Sequence, residues 1–124
     1  MEDRPTPDPY SSLCPSRELI DVIGDKWSLL LFPVLAQGPV RNGELKRRLE
    51  GISQKMLTQT LKSLEEYGLV ERRDYQEVPP RVDYALTPLG QSLGRLIAQV
   101  DDWVVEHFYA LQDAQAGGEI RPNA

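Results

Sequence analysis

The chain has very little of the chemistry that marks secreted or membrane proteins. It contains a single cysteine among its 124 residues, so no disulfide can form within it. No apolar run approaches the roughly 20 residues that a membrane helix needs. The first nine residues are acidic and proline-rich, unlike a secretion signal. These absences favour one cytoplasmic domain with no membrane partner.

Residues of catalytic and metal sites are equally scarce. Cys14 and His107 are the only thiol and imidazole, and they lie far apart along the chain. We find no phosphate loop, no paired nucleophile and base, and no metal-ligand spacing. We therefore expect no enzyme, no metal and no cofactor. His107 is interpreted as an interface residue on a helix, and the pair Asp101-Asp102 as a solvated edge.

The net charge of the chain at first argues against binding to a nucleic acid. The net charge is −5, whereas many nucleic-acid-binding domains are basic. However, the segment from Arg41 to Lys62 holds six basic and two acidic residues, a local charge of +4. A local basic face is compatible with DNA binding that weakens as salt rises.

Capping residues and helix breakers predict five helices and one hairpin. Pro15 begins the first helix and Gly24 ends it, and Asp25 caps the second, which runs to Gln37. Pro33 falls inside the second helix and should kink it. The third, fourth and fifth helices are expected after caps at Asn42, Ser53 and Thr87, with the hairpin between the last two.

The fourth predicted helix has two contrasting faces. Leu57, Leu61 and Leu64 recur at the spacing of a buried face. Cations and amides occupy a different face, with no carboxylate before Glu65; they are Lys55, Thr58, Gln59 and Lys62. Such groups contact base edges and phosphates. A helix of this kind followed by a β-hairpin is typical of a DNA-reading winged helix-turn-helix.

The hairpin and last helix complete the predicted domain. Val82, Tyr84 and Leu86 alternate along the second hairpin strand, as on a half-buried strand. The last helix, expected to reach Leu111, has an apolar stripe longer than so small a domain can cover, which predicts pairing with a second copy. We expect a mobile arm over 1–13, the domain over 14–111 and a flexible tail over 112–124.

From about residue 13 to 108 the chain resembles the HxlR-type regulators, winged-helix transcription factors related to the MarR group. The resemblance rests on several short blocks that occur in one order. They are Cys14-Pro15, Asp21-Val-Ile-Gly24, Lys26-Trp27, Glu44-Leu45, Gly51-Ile-Ser53, Lys55-Met-Leu-Thr58, Leu61 to Leu64, Gly68-Leu-Val-Glu-Arg72, Val78-Pro-Pro-Arg-Val82, Tyr84, Leu86-Thr87 and Gly90.

The resemblance implies an α+β, mainly α, winged helix-turn-helix with a two-stranded β-wing and N- and C-terminal dimerisation helices. It implies a homodimer whose fourth helix enters the major groove. The DNA-binding candidates are then Ser53, Gln54, Lys55, Thr58, Gln59 and Lys62, with Arg81 on the wing. Two departures are Asn42-Gly43, where relatives tend to have an aromatic residue, and Pro33; both concern local geometry.

Several of these residues also have ordinary structural interpretations. Arg81 could pair with Glu77 across the hairpin instead of contacting phosphate or the minor groove. The run Lys46-Arg47-Arg48 could be a solvated face, although we expect at least one contact with phosphate. Three aromatic residues are interpreted as core or interface residues, while an apolar effector pocket between subunits remains an alternative; they are Trp27, Tyr84 and Trp103.

Cys14 has two competing interpretations. A free cysteine is often simply buried, here in the dimer interface. At the start of a helix, however, the macrodipole favours the nucleophilic thiolate. In the resembled family a cysteine at this position often reacts with oxidants or electrophiles and alters DNA affinity. Oxidation could then yield an intersubunit bridge, a mixed disulfide or an adduct.

These patterns predict a homodimeric, sequence-specific DNA-binding transcriptional regulator. We expect it to recognise double-stranded DNA at a pseudo-palindromic operator and to act as a repressor; a response to an oxidant or electrophile through Cys14 is one of the two interpretations of that residue. The alternative is a winged-helix module that binds another protein and not DNA. Salt distinguishes the two, because phosphate contacts weaken steeply with ionic strength.

Overall fold

A computed structural model describes residues 4–118, which form six helices and a three-stranded sheet. The predicted class, mainly helical with a β-wing after the fourth helix, is confirmed. In chain order the elements are α1 Pro15–Ile23, α2 Lys26–Leu35, β1 Val40–Arg41, α3 Asn42–Arg48, α4 Gln54–Glu66, β2 Val70–Asp74, β3 Val82–Leu86, α5 Pro88–Glu106 and α6 Phe108–Gly118.

Three predicted caps begin their helices through side-chain hydrogen bonds. The carboxylate of Asp25 accepts from the backbone N–H groups of Trp27 and Ser28, at 3.0 and 3.3 Å. The hydroxyls of Ser53 and Thr87 each accept a 3.0 Å bond from the residue three positions later. Each bond satisfies an amide that the first helical turn leaves unpaired.

The second helix is shorter than predicted and includes its proline. It ends at Leu35 and not at Gln37, and Pro33 lies in its last turn. The third helix also begins differently. Its N-cap position is Arg41, without a side-chain cap, and Asn42 is its first residue, so the predicted capping role of Asn42 is wrong.

The sheet contains one more strand than the predicted two-stranded hairpin. It is antiparallel with the order β1-β3-β2, and Val40 pairs with Tyr84 while Arg41 pairs with Asp83. A two-residue strand is too short to produce a recognisable alternation, so sequence pattern missed it. Because β1 and β2 flank β3, the second hairpin strand is the centre of the sheet.

The central strand is covered on both faces, which the predicted one-sided alternation did not anticipate. Leu86 is buried and Val82 and Tyr84 are half-buried, as their shared face predicts. Asp83 and Ala85 are also buried, at 4% exposure each. The opposite face of β3 is therefore closed by other parts of the molecule.

The long C-terminal helix predicted to reach Leu111 is broken at His107. His107 has φ −104° and ψ 12°, and it separates α5 from α6. Helix α6 then continues past the predicted tail boundary at 112 as far as Gly118. Residues 1–3 of the predicted arm and 119–124 of the predicted tail lie outside the described residues, and the mobility of both segments stays a prediction.

Leucines from both halves of the chain form the core. Helix α2 contributes Leu31 and Phe32, at 0 and 1% exposure, and the opposite wall comes from α3 and α4. Ile97 of α5 joins the same cluster. The largest fully buried side chains are Phe32, Leu31, Leu45, Leu57, Leu61, Leu64 and Val70.

A glycine allows the start of α5 to lie directly on the turn before the wing. An added Cβ at Gly90 would lie 2.0 Å from the carbonyl oxygen of Leu69 and 3.3 Å from a methyl of Leu86. The first of these is a backbone atom that cannot move aside without shifting β2. The same Leu69 carbonyl accepts a hydrogen bond from the Thr87 amide at 3.1 Å, which fixes it in place.

We expect Gly90→Ala to lower the free energy of unfolding by about 1–3 kcal/mol, because the new methyl overpacks this contact. Gly94→Ala, one turn later, is the matched control. Its added Cβ would meet only side-chain carbons at 3.5 and 3.7 Å, which is ordinary contact, and alanine favours the helix. Urea unfolding of both variants measures this difference; equal losses would contradict the backbone clash.

Candidate nucleic-acid interface

A tight turn positions the N-terminus of α4 beside α3. Gly51 has φ +93°, a conformation that side chains with a Cβ rarely adopt, and Ile52 is buried at 4% exposure. Ser53 then caps α4. Ile52 packs into the core and holds the turn in place. The orientation of the first turn of α4 relative to α3 is therefore fixed.

Helix α4 divides into a core face and an outward face as predicted. Leu57, Leu61 and Leu64 are at most 1% exposed, and Thr60 is buried beside them. All six predicted contact residues of this segment are exposed; they are Ser53, Gln54, Lys55, Thr58, Gln59 and Lys62. The amide nitrogen of Gln54 donates to the Thr58 hydroxyl at 3.0 Å, which joins two of them on one side.

The other side of the α4 surface adjoins acidic residues. Gln59 lines a shallow groove of about 290 Å³ together with Glu18 and Asp21 of α1 and with the cap Asp25. Carboxylates repel phosphate, so this edge limits the positive surface. Gln59 lies at the boundary, whereas Lys55 and Lys62 lie outside the groove lining.

The basic run of α3 is divided by an internal ion pair. Lys46, Arg47 and Arg48 are all exposed. Arg47 is hydrogen-bonded to Glu44, one helical turn earlier, and this bond raises the pKa of Arg47. Lys46 and Arg48 have no ion pair among residues 4–118, so they are the cations of this helix available to an outside anion.

Arg81 is tethered at the base of the wing tip. Its guanidinium lies 4.4 Å from the ring centroid of Tyr75 and 3.4 Å from a carboxylate oxygen of Asp83. The amide of Tyr75 donates to the Arg81 carbonyl at 3.1 Å and closes the hairpin. The alternative partner considered from sequence, Glu77, is therefore not the one that Arg81 contacts.

Asp83 is a buried charged residue beside the candidate site that sequence reasoning missed. It is buried in the central strand, between Arg41 at 3.8 Å and Arg81 at 3.4 Å. One of its carboxylate oxygens has no hydrogen-bond partner among the described residues. Arg81 immediately precedes β3 and lies two positions before Asp83, and that spacing was the available signal. Asp83 thus connects Arg41 of β1 with Arg81, which immediately precedes β3.

Cys14 occupies the N-cap position of α1 and is half-buried. Its Sγ lies 3.1 Å from the Ser16 hydroxyl and accepts from the Asp8 amide at 3.4 Å. Hydrogen bonds from the side chain and backbone of Ser16, and from the Asp8 backbone, lower the thiol pKa; burial and the Asp8 charge oppose them. The net effect lowers the pKa of the Cys14 thiol below its usual value, so the thiolate forms more readily than in a free cysteine.

The remaining candidates have local partners. His107 lies stacked on Trp103, with ring centroids 4.5 Å apart, and its Nδ1 is 2.9 Å from the Trp103 carbonyl. Within residues 4–118 no cluster of three or more His, Cys, Asp or Glu residues could hold a metal ion. None of the helices in this range is long and apolar enough to cross a membrane.

We expect Asp83→Asn to lower the free energy of unfolding by about 1–3 kcal/mol, because a buried charge pair loses its anion. Hydrogen exchange of the β3 amides should accelerate in the same variant. Asp74→Asn is the matched control: Asp74 pairs with Arg72 at 3.7 Å on an exposed surface, where such pairs contribute less than about 1 kcal/mol. If both variants lose the same stability, Asp83 does not organise the wing.

The chain is similar to helix-turn-helix regulators over most of its length. The HxlR-like helix-turn-helix family profile matches residues 22–112. The HTH-type transcriptional regulator YtfH of Escherichia coli is 39% identical over 110 residues, which cover 86% of this chain and 87% of YtfH. The structure of YtfH from Salmonella typhimurium matches with a TM-score of 0.84 and 33% identity, over 90% of this chain and 99% of that one.

Two structures of the redox regulator HypR match as well. The oxidised form has a TM-score of 0.69 and 40% identity, and the match covers 75% of this chain and 96% of the HypR chain. The reduced form has a TM-score of 0.73 and 37% identity, and the match covers 80% of this chain and 98% of the HypR chain. The family profile, the sequence relative and the shared architecture agree, and the chain belongs to the HxlR-like helix-turn-helix family of transcriptional regulators.

Proposed function

We propose that the protein is a homodimer that binds a pseudo-palindromic operator in double-stranded DNA through α4 and the wing. The observation that carries this proposal is the outward face of α4. It presents Lys55 and Lys62 with no ion pair among the described residues, together with the amide side chains of Gln54 and Gln59. Amides pair with adenine edges, and lysines contact guanine or phosphate.

The surroundings of α4 support phosphate contacts on both sides. Lys46 and Arg48 on α3 are unpaired within the described range, and the first turn of α4 presents backbone N–H groups behind Ser53. On the wing, Arg41 and Arg81 remain partly exposed, at 64 and 38% of their side chains, although both contact Asp83. Their positions are preorganised by that carboxylate, which reduces the entropy lost on binding.

The pairing of two copies is supported by the exposed apolar side of α5. Leu96, Val100 and Trp103 are 59, 56 and 51% exposed, and their spacing places them on one face of the helix. Contiguous apolar surface of this kind marks an interface. A two-fold axis that relates the α5 helices of two copies makes the interface isologous. The dimer then presents two α4 helices to half-sites about 34–36 Å apart.

Repression follows from simple steric exclusion if the operator overlaps a promoter. The second candidate function, binding of a partner protein without DNA, is favoured only by the acidic edge that Glu18 and Asp21 form beside Gln59. Salt distinguishes DNA binding from an apolar protein contact, because release of counterions from phosphates makes DNA binding weaken steeply with ionic strength, whereas an apolar contact does not.

Two substitutions on α4 test the division between phosphate and base contacts. Lys62→Ala should weaken binding to all DNA sequences alike and reduce the slope of log affinity against log salt by about 1. Gln59→Ala should leave that slope unchanged and reduce discrimination between operator and mismatched DNA by about 1–3 kcal/mol. Fluorescence anisotropy over a salt series measures both. Equal losses on every sequence for both variants would contradict the proposed roles.

We further propose that oxidants or electrophiles modify Cys14 and thereby change operator affinity. The N-cap position and the bonds from Ser16 and Asp8 favour the reactive thiolate. The relative HypR is a redox regulator, which supports the same role here. With one cysteine in the chain, the product is an intersubunit disulfide, a mixed disulfide with a small thiol, or an adduct.

Ser16→Ala should raise the Cys14 pKa, because it removes the hydrogen bond that lowers it most. At neutral pH the thiolate fraction and the rate of alkylation by iodoacetamide should fall, and the pH–rate profile should move to higher pH. An unchanged profile would contradict the assigned hydrogen bond. For the regulatory step, Cys14→Ser should bind operator normally and lose its response to oxidant; a retained response would exclude Cys14 as the sensor.

A further inference from the structure

The groove between α1 and α4 carries three carboxylates and no cation. It is the groove of about 290 Å³ beside Gln59, and its acidic residues are Glu18 and Asp21 of α1 and the cap Asp25. No lysine, arginine or histidine is among its described lining residues. Its volume lies at the lower end of the range of about 300–1,000 Å³ that is typical of small-molecule sites. Size and charge together suit a small organic cation.

The two carboxylates on α1 are not compensated from within the described chain. Glu18 and Asp21 form no ion pair or hydrogen bond through their side chains within residues 4–118, although Arg17 is adjacent in sequence. Both are exposed, and their separation by three positions makes them neighbours on one face of α1. Asp25, by contrast, already accepts hydrogen bonds from two backbone amides. Two acceptors at the rim are therefore open to an outside cation.

Two nearly buried hydroxyl groups line the same groove without a partner. Ser28 of α2 and Thr60 of α4 are only 2 and 7% exposed, and neither hydroxyl forms a hydrogen bond within residues 4–118. The fully enclosed unpaired side-chain atoms of this range belong to Arg81 and Asp83, so both hydroxyls remain within reach of the groove. Buried polar groups are nearly always hydrogen-bonded. These two therefore point to a ligand that donates N–H groups.

The acidic groups of the groove are too dispersed to enclose one metal ion. Within residues 4–118 no cluster of three or more His, Cys, Asp or Glu residues could do so. A molecule with two ammonium groups on a short carbon chain can contact separated acceptors at once, because each ammonium carries three donors. Val22 and Met56 provide apolar surface in the same lining for the carbon chain.

We propose that the groove binds a short aliphatic diamine or polyamine in its protonated form. One ammonium group pairs with Glu18 and Asp21 at the rim, where bonds to charged acceptors are the stronger ones. The other donates to the hydroxyls of Ser28 and Thr60 at the base. An amine with a single ammonium group satisfies only one of these two sets of acceptors.

The groove adjoins the surface proposed to contact DNA, because Gln59 belongs to both. An amine bound there neutralises Glu18 and Asp21, which otherwise repel the phosphates of a bound operator. The bound amine should therefore raise operator affinity, and operator should raise amine affinity by the same factor. Only this consequence rests on the proposed function; binding of the amine does not.

The test uses the full chain, reduced and ¹⁵N-labelled, titrated separately with 1,4-diaminobutane, spermidine, n-butylamine and Mg²⁺. We expect the diamine and spermidine to produce saturable shifts of the backbone amides of Asp21, Thr60 and Ser63. The diamine should bind about tenfold more tightly than n-butylamine, which lacks the second ammonium group. Mg²⁺ carries the same double charge in compact form and should not displace the diamine at equal concentration.

Variants separate the carboxylates from the hydroxyls. Glu18→Gln and Asp21→Asn should each reduce diamine affinity about threefold, since each removes one exposed partner. Thr60→Val keeps the shape of the side chain without its hydroxyl and should reduce affinity about fivefold, and Ser28→Ala should act in the same direction. Glu66→Gln is the matched control: it removes the same charge from an exposed position of α4 outside the groove and should leave affinity unchanged.

The proposal is overturned if neither diamine nor spermidine gives saturable shifts at the groove amides, or if n-butylamine or Mg²⁺ binds there as tightly. It is equally overturned if Glu66→Gln and Glu18→Gln have the same effect, or if Thr60→Val and Ser28→Ala both leave affinity unchanged. Operator binding of the amine-free protein is measured in parallel. A chain that binds diamine in the groove but does not bind DNA contradicts the proposed function and leaves the amine site standing.

Discussion

The packing of the leucine face of α4 against α2 determines what the molecule presents outward. Leu57, Leu61 and Leu64 are essentially inaccessible and lie in one cluster with Leu31 and Phe32. Burying each such side chain contributes about 1.5–3 kcal/mol, more than an exposed ion pair provides. The core therefore decides the rotation of α4 about its axis. Lysines and amides face outward because the leucines cannot.

The wing depends on a second buried group, this time a charged one. Asp83 lies in the central strand and contacts arginines from β1 and from the hairpin tip. A carboxylate at 4% exposure is tolerated because these cations compensate it. The same contacts hold Arg81 against Tyr75. Helix α4 is thus oriented by apolar burial and the wing by an ion-pair centre, and the two lie side by side in sequence and space.

Sequence patterns predicted the features that depend on local periodicity and capping. The two faces of α4 and the caps Asp25, Ser53 and Thr87 are confirmed, because each depends on residues within one or two turns. Strand β1 and the burial of Asp83 were missed, since both arise from pairing between distant segments. The ion pair of Arg47 with Glu44 was local and could have been found from its i, i+3 spacing.

The most direct test of the central account is selection of genomic DNA fragments by the purified, reduced, full-length protein at moderate salt. The account predicts enrichment of a two-fold symmetric motif whose half-sites are about one helical turn apart, because two α4 helices related by a dimer axis read the same sequence on both sides. Enrichment of an asymmetric motif would contradict the dimer. Absence of any enriched sequence, with a folded dimer, would contradict DNA recognition and favour a protein partner.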